Sequence, residues 1–317
     1  MRVGVLTGGR SRERARSLLS GRAVHASLMR QGVDAVMIDT AGAAFLRRLG
    51  TVDVAFLAIA GQYAEDGKLQ GLLEHLNMPY TGSGVLASAL AMHKCAAKAM
   101  VGAHGVGILP GRQLDDGLSA EQLAAELTSA LGLPLMLKPV SEGGSIDIRL
   151  SATEPELLSA IRALRSGGQQ LFAERFCPGR SVTAAVLDHE PGLWVPPLLE
   201  TRPVNGFYDY QTKNDPSRFT NHCPAALPEK AEVLIAEWAR VAHRSLGCRG
   251  YSRSDFVVGA DGEVWWLETN TLPGLSRTGN LATMAGAGGL DYDGLVSFVL
   301  STAVLSTALR APTGYRA

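Results

Sequence analysis

The apolar positions of this chain follow two rhythms. Short runs such as "RVGVL" at 2–6, "DAVMID" at 34–39 and "VDVAFLAIAG" at 52–61 have the length and composition of buried strands. Between them, the stretch from the glycine-rich "TGGRS" to about Gln31, and "GKLQGLLEHL" at 67–76, repeat at helical spacing. Strands alternating with helices predict a doubly wound parallel sheet, ending near Met92. From His93 to about Phe176 the pattern gives helices near 94–103 and 119–131 and a strand "PLMLKP". A glycine loop "SEGGSID", another helix and a strand "QLFAERF" follow. The remainder is strand-rich, with "SVTAAVL" and "LWVPPLLE", interrupted by a helix over roughly 228–246 and closed by one in "YDGLVSFVLSTAVLSTAL". These shifts predict units over 1–92, 93–176 and 177–317.

Composition narrows the class. The chain has 317 residues, and 46% hydrophobic content is enough for two or three small cores. Thirty acids balance thirty bases, so no broad field draws the protein to nucleic acid or an anionic membrane, and small-molecule substrates are expected. Cys95, Cys177, Cys223 and Cys248 form no CxxC pair, which argues against a zinc site or disulfide framework and for buried free thiols in a reducing compartment. "MRVGVLTGGR" does not resemble a signal peptide and no segment is apolar enough to span a bilayer, so a cytoplasmic location is expected.

The stretch "SRSDFVVGADGEVWWLETNTLPG", residues 252–274, carries acids on both sides of a turn. Asp-Gly at 261–262 is a strong hairpin signal. With those two as the turn residues, Asp255 lies opposite Glu268 and Arg253 opposite Asn270, and the period of two puts all four on one face. Opposed carboxylates destabilise a strand pair by up to about 1 kcal/mol unless something positive compensates. An all-oxygen set of Asp255, Glu268 and Asn270 suits a hard divalent cation such as magnesium, which keeps waters and bridges to phosphate. Arg253 suits a negative substrate oxygen. The same residues would also make a solvated polar face in which Arg253 pairs with the acids.

A second constellation favours the metal. Lys138 ends an apolar strand and runs into Glu142-Gly143-Gly144-Ser145, a lysine beside free backbone N–H groups that suits phosphate. The spacing is not that of a P-loop, and "TGGR" after the first strand lacks the dinucleotide fingerprint.

The order "GGRSRER", "EDGKLQGLLEHLNMPYTGSGVLASALAMHK", "LKPVSEGGS", "GFYDYQTK" and "GCRGYSRSDF…WWLETNTLPG" resembles the D-alanine–D-alanine ligases of the ATP-grasp superfamily over nearly the whole chain. That resemblance implies an α/β ATP-grasp fold of three domains, with nucleotide between the central and C-terminal ones. It implies a homodimer and an ADP-forming ligation, in which ATP activates a carboxylate as an acyl phosphate that an amine then attacks. By position, Lys94, Lys138 and Lys213 match lysines contacting ATP, and Glu174 the acid facing the adenine amino group. Asp255, Glu268 and Asn270 match magnesium ligands. Arg253 matches the arginine on the transferred phosphate, Gly274 a backbone donor to substrate, and Glu13 the acid holding the first D-alanine's amino group.

The substrate side departs from the family pattern. Ala60 replaces a histidine, Gly144 the first of two loop serines (Ser145 remains), Asn214 a tyrosine, Gly279 the serine for the acceptor carboxylate, Ser181 an acid near the ribose, and Asp147 a glycine. Each change removes or alters a group around the amino-acid pocket or ribose, while the phosphate and metal groups stay. Arg277, Asn280 and Asn221 are candidates for compensation. The expectation is a carboxylate–amine ligase with altered amino-acid specificity; the alternatives are the ordinary cell-wall enzyme and a nucleotide-binding homologue without catalysis. His93 and His222 read as solvated or satisfied, and of Trp265 and Trp266 one packs in the core.

Overall fold

The computed structural model describes residues 1–144, 146–189, 192–204 and 215–303. Among them the strands form three sheets. The first is parallel, in the order β2–β1–β3, from β1 (Val3–Thr7), β2 (Ala35–Asp39) and β3 (Val54–Leu57). Its strands are joined through α1 (Arg14–Arg30) and α2 (Phe45–Leu49), and α3 (Lys68–His75) follows. β1 is buried along its whole length, as a strand covered on both faces must be.

Two helices, α4 (Val85–Met92) and α5 (Lys94–Ala103), lead into a four-stranded antiparallel sheet, β4–β7–β5–β6. It comprises β4 (Gly111–Gln113), β5 (Leu135–Pro139), β6 (Arg149–Ser151) and β7 (Leu171–Arg175), with α6 (Ala120–Leu131) and α7 (Glu154–Arg165) packed against each other and against it. Both helices open on capping boxes, Ser119 with Gln122 and Thr153 with Glu156, which satisfy orphan N–H groups at their starts.

The third sheet holds β8 (Gly179–His189), β9 (Gly192–Trp194), β10 (Leu199–Pro203), β11 (Phe219–His222), β12 (Tyr251–Gly259) and β13 (Val264–Asn270), in the order β11–β10–β8–β12–β13 with β9 beside β8. α8 (Glu229–Ser245) lies across it, and α9 (Asn280–Ala287) and α10 (Tyr292–Ser301) close the described chain. Sequence pattern alone gives one strand over "LWVPPLLE". The structure has two, β9 and β10, because neither Pro196 nor Pro197 can donate to a ladder. The expected terminal helix is described to Ser301; its predicted continuation to 309 lies outside the described residues from 304 onward.

The apolar interior falls into three clusters. One, from Leu114 to Ala173, belongs to the four-stranded sheet and its helices. Another packs α8 under the third sheet around Phe256 and Trp266. The remaining cluster joins the first sheet (Val3, Val5, Phe56, Leu73) to Ala185, Leu187, Leu281, Leu295 and Val299, drawing on both ends of the chain.

Candidate active site

The β12–β13 hairpin sets up the site by a route the Asp-Gly reading misses. Gly259 donates to the carbonyl of Glu263 at 2.8 Å and Gly262 to that of Gly259 at 3.0 Å, so the loop has three residues, 260–262, not two. Gly262 takes the left-handed conformation this loop requires, with φ of +85°. Near the turn Val258 therefore pairs with Val264 and Phe256 with Trp266, one residue off the expected register. A bulge at Leu267 then restores it, and Asp255 pairs with Glu268 and Arg253 with Asn270.

Arg253 reaches along its strand to Asp255, Nη2 to Oδ2 at 2.9 Å, and Thr183 Oγ1 donates to Asp255 Oδ1 at 3.0 Å. Burial alone would lower the Arg253 pKa, but Asp255 and Glu268 outweigh it and raise it. Arg253 Nε is buried without a hydrogen-bond partner among the described residues. Asn270 Oδ1 accepts from the Leu272 N–H at 2.9 Å, which folds the chain from β13 back over the site.

Behind the hairpin lies a buried charge cluster. Glu174 on β7 is 1% exposed and pairs with Lys98, at 2.8 Å, and with Lys138. Burial pushes this carboxyl up, and the two ammonium groups more than reverse it, so it stays ionised. Lys94 at the start of α5 donates to the Glu142 carbonyl at 2.6 Å. Burial lowers the Lys94 pKa, opposed first by Glu268, with Glu174 and Glu142 adding to the opposition and Lys138 to the lowering. The glycine-loop lysine, the α5 lysine and the hairpin acid thus share one electrostatic field. Lys98 was not singled out in the sequence, although its spacing of four from Lys94 in the otherwise apolar "KCAAKAMV" puts both ammonium groups on one helix face.

In front of the hairpin opens a cavity of about 420 Å³. Glu13, Lys94, Arg253, Glu268, Asn270 and Gly274 all line it, which brings together six of the residues expected to share a site. Asp255, Lys138 and Glu174 do not line it; the last two are occupied by their ion pair. Ser145, Lys213 and the neighbouring Asn214 lie outside the described residues. Glu65 is a further wall residue that the sequence reading passed over: 6% exposed, it accepts from the Gly61 N–H at 2.7 Å.

The positions that depart from the family pattern can now be placed. Ala60 lines the cavity, its carbonyl held by Ser11 Oγ and its N–H by Ser17 Oγ, both at 2.9 Å. Gly144 sits at φ of +69°, and a Cβ there would lie 3.0 Å from Glu13 Oε1. Gly279 is the N-cap of α9, with no side-chain cap, and a Cβ there would meet Ser276 Oγ at 2.9 Å. Asn221 and Asn280 are on the cavity wall. Arg277 is not; its guanidinium lies 4.7 Å from the Tyr292 ring centroid. His93 Nδ1 caps α5 through the Ala96 N–H, and His222 Nε2 is 3.3 Å from Thr220 Oγ1. All four cysteines are free and half-buried, and burial raises each thiol, that of Cys248 to about 12.

This geometry has known counterparts. The family described as D-ala D-ala ligase C-terminus matches residues 108–301, and its N-terminus counterpart matches 39–83. A D-alanine–D-alanine ligase of Geobacter sulfurreducens is 39% identical over 311 residues, 96% of this chain and 94% of the relative. The chain belongs to the D-alanine–D-alanine ligase family. It is an ATP-dependent ligase of the ATP-grasp fold that forms a peptide-type bond. Among solved structures, the D-alanine–D-alanine ligase of Bacillus anthracis complexed with ATP superposes with a TM-score of 0.80 at 27% identity, over 95% of this ligase and 97% of that chain. The VanG D-Ala:D-Ser ligase of Enterococcus faecalis gives 0.81 at 26% identity, over 95% and 98%. Both fit the parallel and antiparallel sheets described above. Among the described residues no helix is long and apolar enough to cross a membrane.

Proposed function

We propose that this ligase joins a D-amino acid, held at its amino group by Glu13, to an acceptor that differs from a plain second D-alanine. The observation that carries this reading is the shared cavity. Glu13, Arg253 and Glu268 line the same space as Gly279 and Gly144, two positions that offer bare backbone where the family pattern has hydroxyls. The charge-handling groups persist, while the hydroxyl for the acceptor carboxylate and one hydroxyl of the glycine loop do not.

Magnesium fits the donors present. Asp255 and Glu268 face each other in register and Asn270 adds an amide oxygen, so these three offer only oxygen donors. Among the described residues no group of three or more His, Cys, Asp or Glu forms a self-sufficient cage. An ion here would complete its shell with phosphate oxygens and water, and would supply charge neutralisation on the triphosphate. Lys94, Lys138 and Lys213 are assigned to the nucleotide phosphates, and Ser145 and Gly274 to the substrate side. Glu174 is assigned to the adenine edge, and its tight pairing with Lys98 and Lys138 fixes its position for that task. Arg253 Nε, which has no hydrogen-bond partner among the described residues, is assigned as a donor to the tetrahedral oxyanion, a role worth several kcal/mol in acyl transfer. Acceptor carboxylates face the uncapped N-terminus of α9, whose free N–H groups favour an anion. Units over 1–92, 93–176 and 177–317, taken from the hydrophobic pattern, and a homodimer, taken from the resemblance, complete the reading.

A second reading, ordinary D-alanine dimerisation, is favoured by Ser276. Its Oγ stands close to where a side chain at 279 would begin, on the same cavity wall, and so returns a hydroxyl to that corner. ADP release with D-alanine alone, and with D-alanine plus a panel of D-amino acids, hydroxy acids and amines, separates the two. A rate with D-alanine alone matching that of any mixed pair would establish the second. No ADP with any pair, despite ATP binding, would defeat both.

A further inference from the structure

Arg12 stands in the turn before α1, beside Glu13, and its side chain crosses to the glycine loop. Its Nη2 donates to Glu142 Oε1 at 3.1 Å and to Asp147 Oδ2 at 2.6 Å. These two acids flank Gly143 and Gly144, one on each side, so a single guanidinium holds both ends of the loop. Asp147 adopts φ of +57°, a left-handed conformation in which glycine is relaxed and a side chain is strained. An aspartate there makes sense through what its carboxylate binds. The loop it anchors packs directly on Glu13: a Cβ on Gly143 would lie 3.0 Å from Oε2, and one on Gly144 3.0 Å from both Cδ and Oε1. The backbone itself therefore walls the carboxylate, with no room at either glycine for an intervening side chain. Lys94 and Gln62 add bonds to the carbonyls of Glu142 and Ser141, at 2.6 and 3.3 Å, but neither reaches the far side of the loop at Asp147.

We propose that Arg12 is a positioning residue for the ligation: by tying Glu142 and Asp147 to the start of α1, it keeps the glycine-loop backbone against Glu13 and so shapes the subsite for the donor's amino group. An ion-pair clasp does here what hydroxyl side chains in the loop would otherwise do. The catalytic consequence rests on the ligase reading above; the tie itself rests on geometry.

The test uses the full chain with R12Q, D147G and R12Q/D147G. Because the clasp is half-exposed, each single variant should raise KM for the donor amino acid by about three- to tenfold, with kcat at saturation within about twofold. D147G relieves the strained backbone, so its melting temperature should stay level or rise while KM worsens. The double variant should be no worse than the poorer single one, since both remove the same contact. R12K should recover part of the loss. Amide hydrogen exchange in nucleotide-free protein, read on the peptide containing Gly143 and Gly144, should quicken in both single variants. Unchanged KM and unchanged exchange in D147G, or losses that add in the double variant, would overturn the proposal. Quickened exchange in a protein that releases no ADP with any substrate would uphold the clasp and reject the ligase reading instead.

Discussion

Asp255 and Glu268 pair directly across β12 and β13, two carboxylates in register on adjacent strands, with Arg253 bonded to the first. Like charges so placed repel, and Arg253 offsets part of that cost. Glu268→Gln removes the repulsion and also the charge for a cation. It also removes a carboxylate that opposes the burial of Lys94 and Arg253, so the unfolding free energy from urea titration should change by no more than about 1 kcal/mol, while ADP release falls by at least about a thousandfold. A variant retaining a tenth of wild-type turnover would remove Glu268 from the chemistry.

Lys98 and Lys138 share one buried carboxylate. Lys98→Met leaves Glu174 with a single cation, and breaking a buried pair typically costs about 3–5 kcal/mol, with the lower end expected because Lys138 remains. Lys98→Met combined with Glu174→Gln should recover more than half of that. Denaturant titration of the three proteins checks it; equal losses in the single and double variants would count against the pairing.

Restoring the family's serine at 144 should harm this enzyme. Gly144→Ser must adopt φ of +69° and place its Cβ 3.0 Å from Glu13. A loss of about 1 kcal/mol in stability and a higher KM for the donor amino acid are expected. Wild-type kinetics in this variant would show that the loop yields easily.

His243 gives the pH dependence a definite sign. Its Nδ1 is 2.8 Å from Ser252 Oγ, Nε2 has no partner among the described residues, and burial lowers the imidazole pKa to about 4. The unfolded chain takes up this proton below about 6.5 while the folded chain does not, so stability falls as pH drops through that range and levels off below about 4. The full effect is of the order of 3 kcal/mol. Chemical unfolding at pH 7.5 and 5.0 should show a difference that shrinks in His243→Gln.

The facing of Asp255 and Glu268 was legible because both sit on strands with a period of two, where a register sets which residues oppose. The hairpin shows the limit of that reasoning. A three-residue loop and the bulge at Leu267 each shift the pairing by one, and they cancel before Asp255. The expected pairing is correct, although its route is not. The split of β9 from β10 follows from missing proline donors and was open to prediction; Arg12 was not. Its partners Glu142 and Asp147 lie more than a hundred residues away, and only folding brings them into reach.

The cluster that unites the first sheet with α9 and α10 has a mechanical consequence. Because the first sheet and the last helices share one apolar interior, a cavity cut at Leu295 or Val299 should weaken the N-terminal strands as well. The four-stranded sheet keeps its own separate packing, so the same cavity should leave it largely untouched.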